Sequence, residues 1–160
     1  MIEIYTIGVY GSTEKSYFGK LINSHIDLFV DIRQRRGVRG SQYKYVNSNY
    51  LQAKLKEIGI PYLYIKALAP TSEIRIKQKE VDIFKGETKH KRTRLGDFFA
   101  QEYTYQILDK YNIKDLIKEI ESKGYKKIVF FCVEEKAEAC HRSLIAKRIH
   151  DLFSYPVINL

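Results

Sequence analysis

YKKIVFFCVEEKAEACHRSLIAKRIHDLF, residues 125 to 153, decides the fold. Its opening run of β-branched and aromatic residues is apolar on both faces, the pattern of a strand buried in the middle of a sheet. Its closing half places Leu144, Ile145, Ile149 and Leu152 on one side of a helix over residues 140 to 153. A fully buried strand running straight into an amphipathic helix is one unit of a parallel α/β sheet. The question is whether the rest of the chain repeats that unit.

It does. IEIYTIGV (2 to 9) reads as a first strand, and Tyr17, Phe18, Leu21, Ile22 and His25 recur at helical spacing over 14 to 25. IDLFVDIR (26 to 33) is a second strand. NSNYLQAKLKEIG follows with Asn47 or Ser48 as N-cap, Leu51, Leu55 and Ile58 inward, and Gly59 as the stop. IPYLYIKAL (60 to 68) is a third strand. NIKDLIKEIESKG is a helix capped by Asn112 with Ile113, Leu116, Ile117 and Ile120 inward, and YPVINL ends the chain as a short strand. The expected fold is a three-layer α/β domain over residues 1 to 160, with a mostly parallel sheet of about five strands and helices on both faces. Residues 71 to 105 have the composition of an exposed loop and read as a basic insertion over the sheet, with a short helix from about Asp97 to Leu108.

In sheets of this kind ligands bind outside the carboxyl ends of the strands. That places the loops 8 to 12, 31 to 39 and 132 to 141 side by side. The last of them, CVEEKAEACHRS, holds two thiols, three carboxylates, an imidazole and a guanidinium. Cys140, placed in the first turn of the last helix beside Arg142, sits where the helix dipole favours a thiolate nucleophile. Cys132 at the end of its strand is read equally well as core or as a resolving thiol. Glu134 is a candidate general acid or base and His141 a titrating partner. Arg142 either grips an anion at the helix start or pairs with Asp31. Zinc is not expected, because seven residues separate the cysteines and His141 should point away from Cys140 on a helix, leaving only a mixed site completed by Glu134.

Charge narrows the partner. The net charge is +9, and residues 33 to 44 alone carry Arg33, Arg35, Arg36, Arg39 and Lys44 without an acid, while 75 to 94 carry eight cations against three acids. A local basic surface implies an anionic ligand, and Tyr43 and Tyr45 interleaved with the first run suit a phosphate backbone and a stacked base. Two cysteines are too few for a disulfide scaffold and there is no apolar run of membrane length, so a cytoplasmic location with no membrane partner is expected.

YTIG at 5 to 8, VDIR at 30 to 33, GIPYLYI at 59 to 65, and C-x-E followed by five residues and CHRSLIA together resemble domain-of-unknown-function family 488. Cys132, Glu134, Cys140, His141 and Arg142 fall on the family pattern, as do Thr6, Gly8, Asp31 and Arg33, and Tyr45 stands where the family usually has phenylalanine. Val9-Tyr10 replaces a usual His-Ser, and Leu68-Ala69-Pro70 a usual Leu-Gly-Gly. The resemblance implies a compact α/β fold with its site on these residues; it implies no settled reaction, and the cofactor stays unknown. Three readings stay open: an enzyme that hydrolyses or cleaves a phosphorylated or nucleic-acid substrate with Glu134, Cys140, His141 and Cys132 as its reacting groups and Arg33, Arg142, Asp31, Thr6, Gly8, Arg35, Arg36 and Tyr45 around the substrate; a non-catalytic nucleic-acid-binding module; and a cysteine-dependent redox or sulfur-transfer protein.

Overall fold

A computed structural model describes residues 1–160. Five strands, β1 (Glu3–Ile7), β2 (Leu28–Asp31), β3 (Tyr62–Tyr64), β4 (Lys127–Phe131) and β5 (Val157–Asn159), form one sheet in the order β3-β2-β4-β1-β5. Every pairing is parallel. The α/β expectation therefore holds, with no antiparallel strand at all. β2, β4 and β1 occupy the centre because their residues are apolar in unbroken runs, and Phe29, Val30, Ile128, Val129, Phe130 and Ile4 are wholly buried. β5 lies at an edge with all three residues exposed.

Connections between parallel strands of one sheet are right-handed in nearly all proteins, so the direction of each connection sets the face its helices cover. Those out of β1 and β2, through α1 (Glu14–Asn23) and α2 (Ser48–Glu57), run one way across the sheet. Those out of β3 and β4, through α3 (Ser72–Phe84), α4 (Asp97–Tyr103), α5 (Ile113–Ser122) and α6 (Arg142–Phe153), run the other way. Opposite directions put the two helix sets on opposite faces. They also open a crevice where the chain leaves β1 and β4, the switch point at which ligands bind in open α/β sheets.

Several helices end where the sequence says they should. Asn112 caps α5 by accepting from the Asp115 N–H at 3.1 Å, and Ile113, Leu116, Ile117 and Ile120 are buried. α1 is shorter than expected: it closes at Asn23, and His25 stands exposed in a left-handed conformation at φ 54°. α6 begins at Arg142 rather than Cys140, and Leu152 is 40% exposed.

The largest correction concerns residues 71 to 105. They are mainly helical, not a loop: α3 alone runs for 13 residues, and α4 continues through a π turn at Thr104–Leu108. The helical pattern was hidden because the inward positions Ile74, Gln78 and Asp82, spaced four apart, are polar in two cases out of three. Gln78 accepts from the Gly96 N–H at 2.9 Å and donates to Asp82, so the inward polar groups are satisfied within the segment.

Candidate functional site

The three central strand ends are tied to one another before any site chemistry begins. The Val9 and Tyr10 N–H groups both donate to the Val133 carbonyl, at 3.0 and 3.1 Å, and the Cys132 N–H donates to Ile7. The Ile32 N–H donates to Phe131 at 3.3 Å. Gly8 permits this closeness: a Cβ there would lie 1.8 Å from the Glu134 carbonyl oxygen. Arg142, only 1% exposed, holds the same turn from the other side by donating to the carbonyls of Glu134 at 2.6 Å and Glu135 at 3.0 Å. Arg142 thus neither grips an anion nor pairs with Asp31, because two carbonyls that β4 leaves behind take its guanidinium.

Asp31 is paired instead with Arg33. The Arg33 Nε and Nη2 donate to its two oxygens at 2.9 and 2.8 Å, and the Tyr62 hydroxyl adds a bond at 2.7 Å. The alternation of the two residues on one side of the leaving strand makes this possible. Arg33 also lies over the Phe131 ring at 4.7 Å, and its Nη1 is buried without a partner.

Cys132, Cys140 and His141 converge. One ligand atom from each lies within 4.8 Å of the other two, and all three residues are buried. The expectation that His141 points away from Cys140 is overturned. Cys140 is not helical: it follows a 3-10 turn at Ala137–Ala139 and is extended, at φ −138° and ψ 149°, while His141 is already αR as the N-cap of α6. That change of backbone conformation between neighbours swings both side chains to one side. The His141 Nε2 lies 2.9 Å from the Ile32 carbonyl and its Nδ1 3.5 Å from the Cys140 sulfur. Burial pushes the Cys132 thiol up to about 11, reinforced by its contact with Cys140. Burial works against a charged His141, but the Cys132 sulfur and the Ile32 carbonyl outweigh it and raise the imidazole.

Glu134 is 5% exposed and bridges to the segment that follows α3. Arg92 donates to its Oε1 at 3.0 Å, to Asp82 at 2.7 Å and to the Ala139 carbonyl. Lys89 approaches the same oxygen at 3.7 Å. The other oxygen, Oε2, is buried with no partner. Burial raises the Glu134 carboxyl above its ordinary value, and the neighbouring Cys132 adds to this against the opposing charges of Lys89 and Arg92.

These groups form the floor of a cavity of about 620 Å³, within the range of roughly 300–1,000 Å³ usual for small-molecule sites. Arg33, Arg35 and Arg39 line it on one side; Arg75, Lys79, Lys89 and Arg92 come from α3 and the segment after it. Only Asp82, Glu87 and Glu134 oppose these seven cations. Tyr10 stands at the wall, stacked on His90 at 3.8 Å and 5.3 Å from Tyr43.

The structure therefore brings Cys132, Glu134, Cys140, His141, Arg33 and Arg35 to one cavity. It places the other candidates elsewhere. Thr6 donates to Asn159 across the sheet edge, Tyr45 bonds Ser12 beneath the first loop, and Arg36 stacks on Tyr64 at 4.2 Å. Gly8, Asp31 and Arg142 support the cavity from behind. Arg92, Asp82 and Lys89 are site residues that the sequence does not reveal, since a cation run interrupted by acids reads as a solvated face. The interrupting Asp82 is the available signal, lying one and two helical turns past Gln78 and Ile74.

Fold and site together define a parallel α/β domain with a Cys/Glu/His cluster at the carboxyl ends of its central strands. The chain belongs to the family described as Domain of unknown function DUF488, whose model matches residues 13–149. Comparison with curated proteins and with solved structures gave no match. No helix is long and apolar enough to cross a membrane.

Proposed function

We propose that this protein is a hydrolytic enzyme that takes a phosphorylated substrate, a nucleic-acid strand or a nucleotide unit, into the cavity and uses Glu134 to move the proton. The observation that carries this reading is the pairing of a strongly cationic wall with a buried carboxylate whose Oε2 has no partner. Native structures satisfy nearly all buried polar atoms, and Glu134, a residue of the cavity lining, keeps one buried oxygen without a partner, so a small rotation of the carboxylate can offer it to a substrate group or its water. Arg33 lines the same cavity, and its Nη1 is likewise buried without a hydrogen-bond partner. Arg35, Arg39 and Lys79 are exposed and engage no acid in an ion pair, so they are free to meet phosphate. Tyr10, stacked on His90 and set against the buried Tyr43, places an aromatic group on the wall beside these cations.

Fluorescently labelled single-stranded DNA and RNA oligonucleotides test both halves of the reading. Binding should weaken with salt, and Arg35→Ala with Arg39→Ala should flatten the dependence by roughly 0.7 in log–log slope for each phosphate no longer neutralised. Turnover should fall by about 100-fold or more in Glu134→Gln, the usual loss for a general acid or base. Oligonucleotides that neither bind nor turn over would remove the proposal; salt-dependent binding with no wild-type turnover would leave a non-catalytic binding module in its place.

A further inference from the structure

The convergence of Cys132, Cys140 and His141 has no explanation in the anion-binding reading, which needs only the cationic wall and Glu134. We propose that Cys132 Sγ, Cys140 Sγ and His141 Nδ1 form a three-ligand site for one zinc ion, with the fourth coordination position open to the cavity.

Three independent features of the geometry carry this assignment. The first is spacing. A tetrahedral zinc with Zn–S of about 2.3 Å and Zn–N of about 2.05 Å sets its sulfur and nitrogen about 3.6 Å apart. The Cys140 Sγ and His141 Nδ1 are already 3.5 Å apart, and the Cys132 Sγ lies within 4.8 Å of the Cys140 Sγ and of a His141 ring nitrogen. A side-chain rotation of a few tenths of an ångström to about 1 Å at Cys132 would close the triangle to the roughly 3.8 Å sulfur–sulfur edge of such a site.

The second is the orientation of the imidazole. A carbonyl oxygen only accepts, so the Nε2 facing Ile32 at 2.9 Å carries a hydrogen in every protonation state. The nitrogen that can give up its proton is therefore Nδ1, the one facing the sulfurs. Histidines that bind metals are held this way, with the second ring N–H donated to a carbonyl or carboxylate. The Tyr103 ring, 5.3 Å from the imidazole, packs against it and restricts its rotation.

The third is access. All three ligand residues belong to the cavity lining, so an ion held between them would lie at its floor, within reach of a water or substrate in that space. Three protein ligands and one open position is the pattern of catalytic rather than structural zinc, and two thiolates with one imidazole is among the known donor sets. Glu134, two residues beyond Cys132, reaches the same space without belonging to the ligand triangle.

The chemistry balances without a co-reactant. With the imidazole neutral, one Zn²⁺ replaces the two thiol protons, two Zn–S bonds and one Zn–N bond form, and two protons leave to solvent. The product is neutral, which suits a buried position better than two free thiolates would. Seven cations and three acids line the cavity, and although Lys89 and Arg92 pair with Glu134, the remaining positive balance favours the two thiolates that would hold the ion.

The full-length protein, purified without chelator, should contain close to one zinc per chain by elemental analysis. After removal of the metal, Co²⁺ should restore one equivalent with the intense visible bands of a tetrahedral thiolate site. Those bands should shift when a small anion such as azide occupies the open position. Cys132→Ser and Cys140→Ser should each weaken Zn²⁺ binding at least about 100-fold against a chromophoric chelator. Circular dichroism checks that the variants fold, and protection of two thiols from Ellman's reagent by Zn²⁺ in the wild-type chain gives a readout that requires no variant. Retention of wild-type affinity by the Cys132→Ser, Cys140→Ser double variant would overturn the assignment, as would a Co²⁺ complex without sulfur charge-transfer bands. Isolation with a Cys132–Cys140 disulfide that binds no metal after reduction would replace it with redox chemistry. None of these measurements uses an oligonucleotide, so their failure leaves the anion-binding reading intact, and the reverse holds.

Discussion

Gly8→Ala is the perturbation that most directly probes how the cavity floor is held. The added methyl carbon would meet the Glu134 carbonyl oxygen at 1.8 Å, whereas carbon and oxygen normally stay about 3.3 Å or more apart. About 1.5 Å of movement is therefore required, and neither strand end is free to supply it. The Glu134 carbonyl is held by Arg142, and the next peptide back is held by Val9 and Tyr10 through Val133. Gly8 is not in the left-handed region, so alanine's backbone preferences are not at issue and the effect is steric. Overpacking costs about 1–3 kcal/mol, and each strained loop hydrogen bond adds about 1 kcal/mol, against a gain of about 0.4–1 kcal/mol from the stiffer unfolded chain. The expected net loss is about 2–4 kcal/mol, read as a lower urea midpoint with unchanged slope by circular dichroism. Gly19→Ala is the matched control: it sits within α1 with nothing inside 4 Å of its added methyl, and should stabilise by about 0.5–1 kcal/mol. A Gly8→Ala protein within about 0.5 kcal/mol of wild type would refute the account of a locked junction between the first and fourth strand ends.

Two further outcomes follow from the paired charges behind the site. Asp31→Asn leaves the buried Arg33 guanidinium, 3% exposed, without its counter-charge, and should cost about 3–5 kcal/mol in urea unfolding; a loss under about 1 kcal/mol would mean that Arg33 finds another anion. Burial, and then the charge of Asp31, raise the Tyr62 hydroxyl from 10.0 to about 12. Because the folded value lies above the unfolded one, the stability it contributes is complete below pH 10 and is lost as pH rises towards 12. Wild type should thus lose stability faster than Tyr62→Phe across that window, and parallel curves would contradict the Tyr62–Asp31 bond. Tyr5, also raised to about 12, is common to both proteins and cancels in the comparison.

The parallel sheet was legible because β2 and β4 advertise burial on both faces, and a chain that alternates such runs with amphipathic helices has few other ways to cover them. α5 was legible down to its cap for a local reason: Asn112 and the Ile113–Ile120 stripe act within a few residues of one another. α3 was not, because its inward positions Gln78 and Asp82 are chosen for Arg92 and Gly96 rather than for an apolar core. A polar inward face leaves no periodic hydrophobic trace, and so the segment that walls the cavity resembles a solvated loop.

By itself, the sequence determined the alternation of elements, the placement of three polar loops at one edge, and the identity of the Cys132, Glu134, Cys140 and His141 group. Those depend on composition and on contacts between near neighbours. Only the tertiary structure decided which partners these groups take: Arg33 with Asp31, Arg142 with two backbone carbonyls, Glu134 with an arginine 42 residues away, and His141 with a carbonyl 109 residues away. A buried polar group bonds to whatever donor or acceptor the packed chain brings within about 3 Å, and sequence distance has no bearing on that choice.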